Sequence, residues 1–236
     1  MLTTQRFITK PHRCSYLDDQ IARTEYELVE TITPQEYQER LNAGWRKFGG
    51  ALFRPNCTAC SACQSIRVLV DQFKPNRNQR RVTKANSQTV VKIAEPSITR
   101  EKVDLYVRHH DHHAEQKGWR KPNRFAVPMT MAQFTQAPIP VQEWQFYADE
   151  KLIAIAYIDR VPDGFSGIYF YFDPDKRELS PGTWIILSML KQSKSLGLKY
   201  VYLGYYVKYC RSMEYKGNFD PSEILSVEGS WIPFLP

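Results

Sequence analysis

Cys57, Cys60 and Cys63 stand at three-residue spacing and Cys14 lies far upstream, so four thiols are on offer, the number a structural zinc or an iron–sulfur cluster takes. The alternative is free thiols packed beneath a loop. A second group is electrostatic: Lys74, Arg77, Arg80, Arg81 and Lys84 fall in one short run with no acid among them, whereas solvated helical faces mix signs, so phosphate contact is expected. A third is aromatic: Tyr200, Tyr202, Tyr205 and Tyr206 flank Gly204 in one apolar run. Their rings can stack or hydrogen-bond, and a strand glycine permits a bulge whose free N–H would stabilise an oxyanion. By alternation Tyr200, Tyr202 and Gly204 share one face, and Val201, Leu203 and Tyr205 the other. His109, His112 and His113 share a helical face, but no cysteine or distant carboxylate joins them; a solvated basic helix end is the expectation.

These residues need elements to hold them. Glu25 to Ile32 alternates as a strand does, and Thr33, Pro34 and Glu36 make a capping box for a helix that Gly44 ends. Ala51 to Arg54 and Ser65 to Val70 read as short strands around the cysteine loop. Glu95-Pro96 breaks the pattern, which divides the chain into an N-terminal domain (1–95) with the cysteine loop and basic segment, and a C-terminal domain (96–236). Thr99 to Lys117 has helical spacing with Gly118 as its stop. Trp144 to Ala148, Leu152 to Asp159 and Gly167 to Phe172 are strand-like runs joined by Asp149-Glu150 and Pro162-Asp163-Gly164, an antiparallel meander. Ser180-Pro181 opens a helix that reaches Gly197, and Lys199 to Gly204 is the next strand. Meander, crossover helix and strand match the core of the N-acetyltransferase fold, so the class is α+β. The loop Arg177 to Thr183 carries one glycine, which leaves the backbone cradle for coenzyme A pyrophosphate incomplete.

With 236 residues, 42% hydrophobic, the chain can bury a sizeable core, and its net charge of +7 favours a polyanionic partner. No apolar run is long enough for a membrane span, and the N-terminus has no signal-peptide centre. An odd number of cysteines fits reduced thiols, so a cytoplasmic protein without a membrane partner is expected.

Several blocks, in order along nearly the whole chain, resemble the bacterial branch of the arginyl/leucyl-tRNA–protein transferase family. They are Cys14-Ser15-Tyr16-Leu17; Gly44-Trp45-Arg46-Lys47-Phe48-Gly49 with Arg54-Pro55-Asn56-Cys57 to Cys63; Phe73-Lys74-Pro75-Asn76 to Arg81; Tyr200 to Tyr206; and Met213-Glu214-Tyr215-Lys216. The resemblance implies two acetyltransferase-like (GNAT) modules, a charged tRNA as donor, an acceptor protein beginning with Asp or Glu, and no requirement for coenzyme A or another cofactor. Leucyl-tRNA is the first expectation and arginyl-tRNA the second. The modified acceptor would be marked for degradation.

Aminolysis of an activated ester needs a neutral α-amine, a positioned carbonyl and an oxyanion donor. Tyr202, Gly204 and Tyr206 are the candidates at the ester. Arg77, Arg80 and Arg81 are candidates for the acceptor carboxylate, with Asn76 and Gln79 on its backbone; these arginines could equally meet RNA phosphate or solvent. Lys74, Lys84, Tyr205, Tyr215 and Lys216 are candidates for the tRNA, and Lys216 has a plain surface role as its alternative. Two rival readings stand: a coenzyme A-dependent N-acetyltransferase, and a noncatalytic RNA-binding protein with a zinc module.

Overall fold

The structure, a computed structural model, describes residues 1–117, 120–135 and 137–235. The chain begins with β1 (Leu2–Ile8), the short pair β2 (His12–Arg13) and β3 (Ile21–Ala22), and β4 (Thr24–Thr31). Helix α1 (Pro34–Asn42) starts as its residues require. Thr33 Oγ1 accepts from Glu36 N at 3.2 Å, Glu36 Oε2 accepts from Thr33 N at 2.9 Å, and Pro34 fills the first turn, where no N–H is needed. Gly44 at φ +83 then turns the chain away, a conformation costly for other residues. β5 (Arg46–Phe48) and β6 (Ala51–Pro55) complete a sheet in the order β1-β4-β6-β5, whose apolar side buries Val29, Tyr37, Leu41, Trp45 and Leu52.

The second sheet draws on the whole chain. β7 (Cys63–Leu69) enters it from the cysteine loop, followed by α2 (Arg77–Ala85), β8 (Val90–Ala94), α3 (Arg100–Lys117) and α4 (Val127–Thr135). The strands β9 (Val141–Ala148), β10 (Lys151–Val161) and β11 (Gly164–Phe172) pair antiparallel. Asp149 and Glu150 take φ of 49° and 62°, the positive angles that let a two-residue turn match the strands' twist. After α5 (Pro181–Ser195) come β12 (Tyr200–Val207), α6 (Arg211–Glu214), β13 (Ser222–Leu225) and β14 (Trp231–Pro233). The eight strands lie in the order β14-β13-β7-β12-β11-β10-β9-β8. Thus β7 and β8, before residue 95, share one sheet with the strands that follow it.

This is a mixed α+β fold with a large sheet covered on both faces. On one face Val201, Leu203 and Tyr206 of β12 pack with Ile185, Ile186 and Met189 of α5. On the other, Ile155, Tyr157 and Tyr171 pack with Leu105, Tyr106, Met131 and Phe134 of α3 and α4. Each such side chain contributes roughly 1.5–3 kcal/mol on burial. The Gly118 stop falls outside the described residues. α3 corrects one expectation: its histidines are not a solvated end. His109 is buried, with Nδ1 at 3.1 Å from Phe172 O, and His110 Nε2 lies 2.7 Å from the Tyr169 hydroxyl. Burial, then His113, holds the His110 imidazole below its usual range, so it adds no charge toward RNA at neutral pH. The helical periodicity was right, but the face carrying these rings is the one that packs on β11.

Candidate active site

β11 and β12 run parallel but pair only through Gly164–Tyr200, Phe165–Val201 and Ser166–Tyr202. Beyond those pairs the two strands part. Each carries one extra residue at the parting: Ile168 of β11, between the pairs Ile158–Gly167 and Tyr157–Tyr169, and Leu203 of β12, between Tyr202–Arg67 and Gly204–Ile66. An extra residue bends its strand and frees local backbone groups, so the opposed bulges open a cleft. Gly167, Ile168, Tyr169 and Gly204 are all partly exposed in strands that are otherwise largely buried.

The bulge also shifts the phase of β12. Strict alternation groups Tyr205 with Val201 and Leu203, whereas the extra residue turns Tyr205 to the side of Tyr202. The Tyr205 hydroxyl lies 3.0 Å from Gly44 O and 3.2 Å from Phe53 O, and Tyr206 joins Leu203 in the α5 core with its ring on Phe234. Tyr202 is fully buried; its hydroxyl accepts from Gln38 at 2.7 Å and donates to Asn42 at 2.9 Å. Gly204 alone of the group takes a positive φ, +88, and is partly exposed.

Two cations converge on Gly204. Arg46 of β5 donates from Nη2 to Gly204 O at 3.2 Å and lies 5.8 Å over the rings of both Tyr202 and Tyr205. Lys216, following Tyr215 after α6, donates to Tyr205 O at 2.6 Å. A β-carbon at position 204 would stand 3.6 Å from its Nζ and meet nothing else within 4 Å. Burial, then the neighbouring Arg46 charge, brings the Lys216 ammonium down to about 7. Lys216 is therefore buried against β12, while Tyr215 is exposed beside it. Arg46 was legible only as part of a motif; its role emerges when β5 packs across β12.

The basic segment is a helix. Asn76 and Gln79 bond each other across the first turn of α2, at 2.8 and 2.9 Å, and Gln79 Nε2 donates to Asn218 O at 2.9 Å. Those two amides cap and anchor the helix. Lys74, Arg77, Arg80, Arg81 and Lys84 are exposed, and among the described residues none is ion-paired. Arg80 donates to Pro75 O at 2.7 Å. The helix sits against α5, and its Gln79 ties it to Asn218, two residues from Lys216 in the same short turn.

Cys14, Cys57, Cys60 and Cys63 line one cavity of about 420 Å³ with Gly44 and Tyr205. The thiols are free, and burial, then the other cysteines, pushes Cys63 up to about 12. Among the described residues no three Cys, His, Asp or Glu side chains stand close enough to hold a metal ion. The rest of the wall includes Leu17, Ile21, Leu225, Val227 and Arg54; Arg54 is 2.8 Å from Glu25 and 4.6 Å over the Trp45 ring.

Two family models match: "Arginine-tRNA-protein transferase, N terminus" over residues 12–81, and "Arginine-tRNA-protein transferase, C terminus" over residues 101–226. Aspartate/glutamate leucyltransferase of Campylobacter jejuni is 34% identical over 224 residues, covering 93% of this chain and 92% of its own. The protein of that name from Pseudomonas aeruginosa is 35% identical over 228 residues, covering 96% and 95%. Among solved structures, the C-terminal domain of a putative lysylphosphatidylglycerol synthetase from Agrobacterium fabrum aligns with TM-score 0.48 and 13% identity, over 83% of this chain and 62% of that one.

Proposed function

The chain belongs to the arginine-tRNA-protein transferase family, and from that premise we propose that it moves leucine from leucyl-tRNA to the α-amine of polypeptides beginning with Asp or Glu. The product is a substrate for degradation. The observation that carries the choice of leucine is the cavity beside Tyr205: its wall holds Leu17, Ile21, Leu225 and Val227 but no carboxylate. An arginyl side chain would need an acid at the end of its pocket, and the one cation there, Arg54, is already held by Glu25. The ester carbonyl lies at the parting of β11 and β12, where backbone N–H groups at the bulges supply the oxyanion donors. The amine attacks, the C–N bond forms, and the tRNA hydroxyl leaves. This reaction requires neither coenzyme A nor another cofactor.

In the same reading the sheet β1-β4-β6-β5 with α1 belongs to the first GNAT-like module (1–95), and β9 to β12 with α3 and α5 form the second (96–236), whose sheet β7 and β8 of the first module join. The exposed cations of α2 meet tRNA phosphate. The reaction belongs in the cytoplasm, where charged tRNA is made; among the described residues no helix is long and apolar enough to cross a membrane.

The test offers one Asp-starting peptide to the enzyme with leucyl-tRNA, arginyl-tRNA or acetyl-coenzyme A and weighs the product. A leucyl adduct from leucyl-tRNA alone is expected. An arginyl adduct overturns the donor, an acetyl adduct overturns the reaction class, and tRNA binding without any adduct leaves an RNA-binding protein.

A further inference from the structure

Five cationic side chains are buried among the described residues: Arg46, Lys47, Arg67, Lys102 and Lys216. Three have a carboxylate: Lys47 is 3.0 Å from Asp159, Arg67 is 2.7 Å from Glu223, and Lys102 bonds Glu143. Arg46 and Lys216 have none. Arg46 is 5% exposed and uses only Nη2, leaving Nε and Nη1 without an acceptor; Lys216 is 8% exposed and holds a single carbonyl and the Met213 sulfur. An uncompensated buried charge costs several kcal/mol, and here two stand side by side. Such an arrangement persists where a ligand brings the missing negative charge.

Two anions reach this enzyme in the proposed reaction, the RNA phosphate and the acceptor's side-chain carboxylate. The carboxylate of an N-terminal Asp or Glu is a few bonds from the attacking nitrogen, whereas the nearest phosphate is separated from the ester carbonyl by a ribose. A charge pair on the floor beside the reacting backbone is therefore placed for the carboxylate. We propose that Arg46 and Lys216 together bind the side-chain carboxylate of the acceptor's first residue and so impose the choice of Asp or Glu over Asn or Gln. The inference rests on acceptors that begin with an acid. It gives the acceptor to the cleft floor, and leaves Arg77, Arg80 and Arg81 for the RNA.

The pair also makes the choice sensitive to pH. Arg46 from β5 faces Lys216 and disfavours its charge, while Cys63 of β7 and Cys210 before α6 oppose that effect, the net result being a lysine near 7. A carboxylate arriving there favours the ammonium, so binding takes up a proton once the pH exceeds about 7. The acceptor's α-amine titrates in the same range, somewhat higher in the Asp peptide because its carboxylate favours the ammonium, which would raise the Asp-over-Asn ratio with pH, opposite in sign to the lysine's effect.

The experiment measures kcat/KM for leucine transfer to four peptides that differ only in a first residue of Asp, Asn, Glu or Gln, with wild type, Lys216→Met and Arg46→Gln. In each folded variant, checked by thermal unfolding, the Asp-over-Asn preference should fall about tenfold or more. In wild type, which needs no substitution, that preference should fall between about pH 6.5 and about pH 9 as the lysine loses its proton. An unchanged preference in a folded variant, equal loss of both peptides, or a flat wild-type ratio overturns the proposal. Wild type that transfers leucine to no acidic peptide would instead overturn the reaction on which it rests.

Discussion

The Tyr202 hydroxyl lies 2.9 Å from Asn42 Oδ1, a bond that ties β12, just before its bulge, to the last residue of α1. Gln38 donates to the Tyr202 hydroxyl at 2.7 Å, and Asp163 Oδ1 is 3.2 Å from it. Arg46 rests above the ring. Tyr202 thus holds the platform on which the cleft cation sits, and acts through position. Tyr202→Phe removes the bonds to Gln38, Asn42 and Asp163 and should destabilise the fold by about 1–3 kcal/mol, with KM for acidic peptides rising more than kcat falls. Thermal unfolding and steady-state kinetics check it; a large kcat loss at unchanged stability would place the hydroxyl at the ester.

Gly204 is where conformation and chemistry meet. At φ +88 a side chain is strained, and its β-carbon would lie 3.6 Å from Lys216 Nζ. Gly204→Ala should cost about 1–2 kcal/mol in stability, from the positive φ alone. Transfer should fall by much more than the unfolded fraction explains, because the methyl group occupies the approach to Lys216. Equal residual activity per folded molecule would show that no substrate comes close to this backbone.

The sequence was most readable where local rules decide. Thr33, Pro34 and Glu36 announce α1, Asp149-Glu150 marks the β9–β10 turn, and the periodicity of Ile185, Ile186, Met189 and Leu190 marks the buried side of α5. It was least readable where distant segments meet. β7 pairs with β12 at Arg67–Tyr202 although 135 residues separate them in sequence, and nothing in either strand says so. Arg46 follows a tryptophan in a short basic strand and looks like a surface residue until β5 is laid across Tyr202 and Tyr205. The phase slip at Leu203 is invisible in the run of tyrosines, because a bulge is a property of pairing, not of one strand. Asn76 and Gln79 likewise look like ligand amides and serve instead as the cap of α2.

The exposed cations of α2 should act on RNA without touching selectivity for the acceptor. Reversing two of them, Arg80→Glu with Arg81→Glu, should weaken leucyl-tRNA binding and reduce the slope of log K against log salt by roughly 1 for each phosphate that is no longer neutralised. Filter binding across a salt series reads both. The Asp-over-Asn preference should stay as in wild type; a collapse of that preference would return the acceptor to this helix.

Lys47 and Asp159 join the N-terminal sheet to the large one, 3.0 Å apart and both essentially inaccessible. Burial raises the Asp159 carboxyl, and Lys47 draws it back. Asp159→Asn leaves a buried ammonium without its counter-charge and should destabilise by about 3–5 kcal/mol, whereas replacing both partners with apolar residues should cost far less. Denaturant titrations of the two single variants and the double variant measure the coupling. Additive losses would mean that the pair interacts little in the folded protein.

Lys216 supplies a stability signature independent of any substrate. Its folded value is about 7, below the 10.5 of an ordinary lysine, so between those values the unfolded chain binds a proton that the folded protein does not. Stability from this group therefore rises with pH across that window, by at most about 1.4 kcal/mol per pH unit, and is flat below it where both states are protonated. Cys63 acts with the opposite sign only above its ordinary value of 9.0, since its folded thiol keeps a proton that the unfolded one loses. The clean interval is thus from about pH 7 to about pH 9. Over it, urea unfolding should show wild type gaining stability relative to Lys216→Met, in which the titrating group is absent. A constant difference between the two proteins would mean that Lys216 keeps its charge in the folded state, and that an acid or solvent reaches it without the acceptor.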